Sequence, residues 1–210
     1  MKSKYFSEFL GTAFLFCTVV GSGIMGENLS SNDSLTLLAN TLATVFALYF
    51  LITVFGDYSS HFNPVVSMVM LVRKEISTQV CTVFIILQIS GAILGVMLAN
   101  YIFELDPVYF SEKPRSGTHL FVSEILATFG LLMVILLSAK EKVAVTVAAY
   151  IGAAYWFTSS TSFANPAGTI GRSFSNTFAG ISTNDILHFC VAQLIGALFA
   201  LLVYNKFFKK

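Results

Sequence analysis

The chain carries the same short signature once in each half, and both copies interrupt an otherwise apolar sequence. The first copy centres on Asn63-Pro64 and the second on Asn165-Pro166. Asn followed by Pro is typical of a helix start, because the Asn side chain accepts a hydrogen bond from a free backbone N–H and Pro at the first helical position removes no donor that the helix needs. We therefore expect two short helices that begin at matching positions of two repeats.

Six largely uncharged runs in the rest of the chain are long enough to cross a bilayer. Hydrophobic residues make up 56% of the chain and charged residues 11%, against roughly 25% charged residues in soluble domains. A spanning helix needs about 20 predominantly apolar residues. The sequence predicts an integral membrane protein with a single transmembrane domain over residues 1–210 and six spans, at about 5–25, 35–56, 79–103, 119–139, 143–160 and 186–207.

The basic residues are divided unevenly between the two sides that six spans define. The chain has 12 Lys and Arg residues, and with both termini on one side only Lys113, Arg115 and Arg172 fall on the other, so 12 minus 3 leaves nine with the termini. The positive-inside rule predicts that both termini are cytoplasmic. The first run exceeds the apolar region of a signal peptide, about 7–15 residues, and is expected to be a retained span. A net charge of +1 argues against a nucleic-acid partner.

Other landmarks also recur in the same order in the two halves. Glu8 and Glu124 open similar segments before the Asn-Pro signatures, and Gln88 and Gln193 open similar segments after them. Each half therefore contains three spans and one short helix. Because three is an odd number, the second half must be inverted relative to the first. The sequence predicts an all-α membrane protein of inverted three-helix repeats with two re-entrant half-helices, repeat one at about 1–104 and repeat two at about 118–210.

The short helices are expected to enter the membrane without crossing it. Residues 63–72 form about ten helical residues, or roughly 15 Å, which reaches only half way through a hydrocarbon core of about 30 Å. Entering from opposite sides, the two tips are expected to meet near the bilayer centre. With each Asn oxygen engaged in capping, the NH2 groups of Asn63 and Asn165 are expected to be free to face a lumen, backed by the positive ends of two helix dipoles. This arrangement favours neutral hydroxylated solutes over cations.

Small residues one helical turn apart, at Gly91 and Gly95 and at Gly196 and Ala200, predict close helix crossings. The sequence shows no nucleophile–base pair, phosphate-binding glycine loop or metal-ligand cluster, and its three cysteines lack metal-ligand spacing. We therefore expect a channel that is not an enzyme and has no cofactor or metal site.

These motifs resemble those of the major intrinsic protein family, the aquaporins and aquaglyceroporins. The resemblance extends over essentially the whole chain. It implies an aquaporin-like fold, passive flux of water and small uncharged solutes, a homotetramer with one pore in each protomer, and a bacterial inner (plasma) membrane. The pore would be centred on the two Asn-Pro boxes, formed by Asn63, Pro64 and Val65 and by Asn165, Pro166 and Ala167.

The resemblance also implies roles for three titratable residues. Glu8 and Glu124 would brace the re-entrant loops by accepting hydrogen bonds from backbone N–H groups, and His61 would lie in the cytoplasmic vestibule as a hydrogen-bonding residue. The alternative for the two glutamates is proton coupling in a secondary transporter built on inverted repeats, because intramembrane carboxylates are functional candidates by default. A membrane-embedded enzyme is a further alternative.

Two positions depart from the family pattern. Val65 stands where the family has Ala, which would crowd the first tip. Gly168 stands where the family usually has the Arg of a narrow outer constriction. The nearest arginine is Arg172, one turn further along the same helix face and about 6 Å nearer the outer mouth. There it would attract anions and repel cations.

The other three constriction positions, counted by the family's spacings, are also small: Ala43, Ala153 and Ser162. Four small residues predict a wide outer constriction that passes glycerol, urea or neutral arsenite. The stretch 159–172 also resembles bacterial family members linked to arsenic resistance, which favours metalloid permeation. The alternative is a narrow, water-selective pore in which nearby bulk fills the gap, supplied by Phe46, Tyr150, Tyr155, Trp156 and Phe157.

Overall fold

The computed structural model describes residues 2–209, which form eight α-helices. Two single 3₁₀ turns, Lys140–Lys142 and Thr183–Asp185, precede the sixth and eighth helices. In chain order the helices are α1 (Lys2–Leu29), α2 (Asp33–Phe55), α3 (Pro64–Val72), α4 (Thr78–Ile102), α5 (Thr118–Leu137), α6 (Val143–Phe157), α7 (Pro166–Arg172) and α8 (Ile186–Phe207).

The prediction of six spans and two half-helices is confirmed. Five helices are long and apolar enough to cross a membrane: α1, α2, α4, α5 and α8 with its preceding turn. The remaining span, α6, has only 15 residues, or about 22 Å. It ends three residues before the predicted boundary of 160, because the chain leaves the helix at Thr158 to enter the polar loop before α7. The half-helices α3 and α7 have 9 and 7 residues.

The same helix pair forms the centre of each repeat, α1 with α4 and α5 with α8. A Cβ atom added to Gly91 would lie 2.5 Å from the backbone oxygen of Phe9, and one added to Gly196 would lie 2.5 Å from the backbone oxygen of Ile125. Only glycine permits such close backbone approach. The predicted close helix crossings are therefore confirmed, at equivalent places in the two repeats.

The remaining helices connect the two repeats. Helices α2 and α6 pack against each other, and each also packs against the first helix of its own repeat. Half-helix α7 packs mainly on α4 of the first repeat, and α3 contacts both α4 and α8. The half-helices thus lie between the repeats, which brings their N-termini together. The outward faces expose large apolar side chains such as Phe46, Trp156 and Leu198, as expected for a surface in contact with lipid.

Candidate functional site

The two Asn-Pro boxes begin the half-helices in the same way. The side-chain oxygen of Asn63 accepts a hydrogen bond from the backbone N–H of Val65 at 3.1 Å. The side-chain oxygen of Asn165 accepts hydrogen bonds from the backbone N–H groups of Ala167 at 3.0 Å and Gly168 at 3.3 Å. Pro64 and Pro166 occupy the first helical positions. The side-chain oxygens therefore act as N-caps, as Asn commonly does.

The amide NH2 groups at the two tips make reciprocal contacts across the repeats. Asn63 donates from Nδ2 to the backbone oxygen of Ala164, and Asn165 donates from Nδ2 to the backbone oxygen of Phe62, both at 2.8 Å. Phe62 and Ala164 have φ values of 49° and 46°, a left-handed conformation that is uncommon outside glycine. The expectation of wholly free NH2 groups is therefore wrong, because one hydrogen of each amide is used by the opposite loop. The other remains for a solute.

Glu8 holds the loop that leads into α3. Its carboxylate is fully buried and accepts hydrogen bonds from the backbone N–H groups of His61 and Phe62, both at 2.8 Å. It also accepts from the Ser59 hydroxyl and, at 2.7 Å, from Nε2 of Gln88. Both carboxylate oxygens are thus occupied by donors from two other parts of the chain. Such a carboxylate satisfies buried backbone donors that have no other partner.

Glu124 makes the equivalent contacts in the second repeat. Its fully buried carboxylate accepts from the backbone N–H groups of Phe163 and Ala164, both at 2.9 Å, and from Nε2 of Gln193 at 2.7 Å. Gln193 also donates to the hydroxyl of Thr169 in α7 at 3.0 Å. Each glutamate therefore links a spanning helix to a re-entrant loop, which is the bracing arrangement that the resemblance implied.

A cavity of about 160 Å³ runs beside both tips. Its wall combines polar side chains with apolar ones such as Leu15, Leu48, Val147 and Ile151. The polar side chains that line it are Thr44, Ser60, His61, Asn63, Tyr155, Ser162, Asn165 and Arg172. One cavity therefore contacts both Asn side chains and also reaches His61 and Arg172.

Phe16 and Arg172 occupy the outer end of this cavity. A Cβ atom added to Gly168 would overlap the ring of Phe16, which comes from α1 and lines the cavity. Arg172 reaches back from one turn further along α7 and is only 4% exposed. Its guanidinium carbon lies 3.4 Å from the centre of the Phe163 ring, and its Nε donates to the backbone oxygen of Ala179. Arg172 thus lines the cavity itself, not a vestibule outside it.

Two of the predicted constriction residues do not line this cavity. Ala153 lies on the exposed surface of α6, and Ala43 is half-buried outside the cavity wall. Thr44 and Tyr155 line it instead, with their hydroxyl oxygens 3.1 Å apart. A shift of one residue turns a helical side chain by about 100°, and a shift of two turns it to nearly the opposite face.

Gly168 does not open the constriction either, because the Phe16 ring covers it. Of the four small residues, only Ser162 lines the cavity. The Ser162 hydroxyl has no hydrogen-bond partner within residues 2–209 and is 3% exposed. It is therefore a buried polar atom beside the cavity with no hydrogen-bond partner in that part of the chain.

Val65 and His61 occupy different surroundings near the first tip. Val65 is fully buried in the packing of α3 against α8 and does not line the cavity, so the expected crowding of the tip is not present. His61 lines the end of the cavity away from Arg172, and its Nδ1 lies 3.0 Å from the Ser67 hydroxyl. The imidazole is therefore positioned as a hydrogen-bonding group of the wall.

Arg115 was not singled out by the sequence and lies behind the outer end. Its guanidinium carbon lies 4.8 Å from the centre of the Phe163 ring, and its Nε donates to the backbone oxygen of Gly180 at 2.8 Å. Burial lowers the pKa of Arg115 to about 10, and Glu124 and Asp185 oppose that shift. The side chain stays protonated at neutral pH, so a second positive charge lies close to Arg172. A lone loop arginine has no motif that could have revealed it.

Comparison with known proteins identifies the family. The family model described as "Major intrinsic protein" matches residues 1–204. Aquaglyceroporin AqpS of Rhizobium meliloti is 46% identical over 199 residues, which cover 93% of this chain and 85% of that protein. Glycerol uptake facilitator protein-like 6 of Lactiplantibacillus plantarum is 34% identical over 141 residues, 63% of this chain and 62% of that protein.

A solved structure shows the same fold. The aquaglyceroporin from Plasmodium falciparum superposes with a TM-score of 0.73 at 18% sequence identity, over 98% of this chain and 96% of that one. The inverted repeats, the paired half-helices and these matches agree. The chain belongs to the major intrinsic protein family, and it is an integral membrane channel, not an enzyme, that passes water and small solutes passively.

Proposed function

We propose that this channel conducts water and small uncharged hydroxylated solutes through the cavity that passes Asn63 and Asn165. The observation that carries the proposal is that one cavity contacts both amides and, at its outer end, Ser162 and Arg172. Helix dipoles place positive potential at both tips, and Arg172 adds a formal charge. Cations are therefore disfavoured along the path, whereas a neutral solute meets several hydrogen-bond donors.

The mixed polar and apolar lining supports glycerol-like solutes in particular. A polyol has hydroxyl groups along one edge and C–H groups along the other. The first edge can accept hydrogen bonds from Arg172, Ser162 and the Asn amides, and the second can contact Phe16 and the aliphatic wall. Neutral trihydroxy metalloids such as arsenite present the same hydroxyl chemistry. The similarity to a protein named aquaglyceroporin supports this class of solute.

A narrow water channel is the second candidate. Its support is that Phe16 and Tyr155 occupy the outer end, where the sequence predicts small side chains. Two aromatic rings leave less room than alanine and glycine. The two candidates therefore differ in what wild-type protein does with glycerol.

Stopped-flow light scattering of proteoliposomes tests the proposal. Wild-type protein is expected to accelerate both water and glycerol equilibration. Phe16→Ala is expected to raise glycerol flux several-fold, because it removes the ring at the outer end. Phe14→Ala is the matched control, since Phe14 lies on the same helix and is 52% exposed.

The measured fluxes distinguish the two candidate functions. Water flux without glycerol flux in wild-type protein, with glycerol flux gained in Phe16→Ala, would establish the narrow channel. Equal effects of the two Phe substitutions would refute a constriction at Phe16. Asn63→Ala that leaves all fluxes unchanged would refute the path itself.

We propose further that the protein is a homotetramer of the bacterial inner membrane with both termini in the cytoplasm. The excess of basic residues on the side of the termini supports the orientation. Mass measurement of the purified protein in detergent tests the tetramer. Labelling of a single cysteine added near either terminus, from outside or inside intact cells, tests the orientation.

A further inference from the structure

An open polar pocket of about 610 Å³ lies where α3 and α8 both end. We refer to it as the α3–α8 pocket. It shares no lining residue with the cavity beside the Asn tips. Its lining residues are Val72, Arg73 and Lys74 from the end of α3, and Leu201, Tyr204, Asn205, Phe208 and Lys209 from the end of α8.

Positive charge in this pocket is incompletely neutralised. Arg73 forms an ion pair with Glu75 at 2.7 Å, the only ion pair within residues 2–209, and its guanidinium carbon lies 4.8 Å from the centre of the Tyr204 ring. Lys74 and Lys209 therefore have no carboxylate within ion-pair distance in that part of the chain. Both are exposed. The pocket thus presents two ammonium groups that have no ion-pair partner among residues 2–209, beside a guanidinium, which favours an anionic ligand.

An exposed apolar strip leads away from the pocket along α8. Leu198 and Leu194 are 55% and 41% exposed. They precede the pocket residue Asn205 by seven and eleven residues, close to two and three full turns, and so share its helix face. Eleven residues rise about 16 Å, close to the half thickness of a hydrocarbon core of about 30 Å. The strip therefore matches one acyl chain in one leaflet.

We propose that the α3–α8 pocket binds the phosphodiester headgroup of an anionic phospholipid, with an acyl chain along Leu198 and Leu194. The phosphate lies between Lys74 and Lys209, and Tyr204 and Asn205 supply further polar contacts. Basic pockets between helices on the cytoplasmic side of a membrane bind such headgroups. The basic residues of this chain predict that this end faces the cytoplasm. The proposal does not depend on the conducting path or its solutes.

Native mass spectrometry of the full chain in detergent tests the proposal. Phosphatidylglycerol and phosphatidylcholine with identical acyl chains are added in parallel. Wild-type protein is expected to bind phosphatidylglycerol at least about tenfold more tightly. Lys74→Gln with Lys209→Gln is expected to weaken that binding roughly 25-fold, from about fivefold for each basic residue at a membrane surface. Exposed side chains of this kind are replaced with little effect on folding.

Lys140→Gln with Lys142→Gln is the matched control. It removes the same charge from exposed residues, in the turn before α6 and outside the pocket. We expect less than a twofold effect. Equal binding of the two lipids, or equal weakening by the two pairs of substitutions, would overturn the proposal in favour of diffuse attraction. Displacement of phosphatidylglycerol by an equal concentration of inorganic phosphate would also overturn it, because the pocket would then be a free-anion site.

Discussion

The fully buried carboxylate of Glu124 is expected to be a large single contributor to stability. It accepts three hydrogen bonds, from the backbone N–H groups of Phe163 and Ala164 and from Nε2 of Gln193. Glu124→Ala leaves three buried N–H hydrogens without an acceptor: those of the two backbone groups and one of the two on Nε2 of Gln193, whose other hydrogen is donated to Thr169. Each costs about 1–3 kcal/mol. The expected loss is therefore about 3–9 kcal/mol.

Glu124→Gln gives a graded comparison at the same position. One oxygen of Glu124 accepts from Ala164 and Gln193, and the other accepts from Phe163 alone. If the Gln oxygen takes the first position, the Phe163 N–H loses its acceptor and the buried NH2 group of the new Gln faces this donor, so two groups are unsatisfied and the expected loss is about 2–6 kcal/mol. For a chain of this size that corresponds to a decrease in Tm of about 4–24 °C.

Thermal unfolding in detergent, together with osmotic water flux in proteoliposomes, measures both substitutions. Glu27→Gln is the control, because Glu27 is exposed and accepts one hydrogen bond, from the Phe178 N–H at 2.8 Å, which a Gln oxygen can also accept. We expect Tm to fall about one and a half times as far in Glu124→Ala as in Glu124→Gln, with the control unchanged. Equal Tm for Glu124→Ala and Glu27→Gln would refute the bracing argument.

Three further substitutions test other parts of the structure. Gly95→Val is expected to abolish folded, membrane-inserted protein, because its Cβ would overlap the backbone of Ala13; yield of monodisperse protein measures this. Tyr155→Phe removes the hydroxyl contact with Thr44 and is expected to change the ratio of glycerol to water flux, while the free energy of unfolding falls by less than about 2 kcal/mol. Asn165→Ala is expected to reduce flux and lower Tm, with a loss of about 1 kcal/mol or more from the N-cap; an unchanged Tm would contradict the capping role.

The half-helix starts were predictable because N-capping is a local property of adjacent residues. Asn63 and Asn165 carry their own start signal, and the structure places both at helix N-caps. The glutamate and glutamine landmarks were detectable because they recur in both halves. The recurrence of these Glu and Gln residues in the same order around both Asn-Pro boxes is what predicts two equivalent repeats.

The outer end of the cavity was not predictable in the same way. Whether Ala43 or Thr44 faces the lumen depends on how α2 is rotated about its axis, which packing against α1 and α6 decides. The ring that covers Gly168 comes from Phe16, at the opposite end of the sequence. Contacts of this kind follow from tertiary structure, and neither motif nor spacing encodes them.

The crossed hydrogen bonds at the tips bear on how the protein is made. Asn63 donates to a carbonyl 101 residues later in the chain, and Asn165 donates to one 103 residues earlier. While the ribosome is still producing the second repeat, the first re-entrant loop lacks this acceptor and its own Phe62 carbonyl lacks a donor. A nascent chain that stops near residue 104 therefore retains unpaired polar backbone within the lipid, which makes the membrane insertion of the two repeats a single interdependent event.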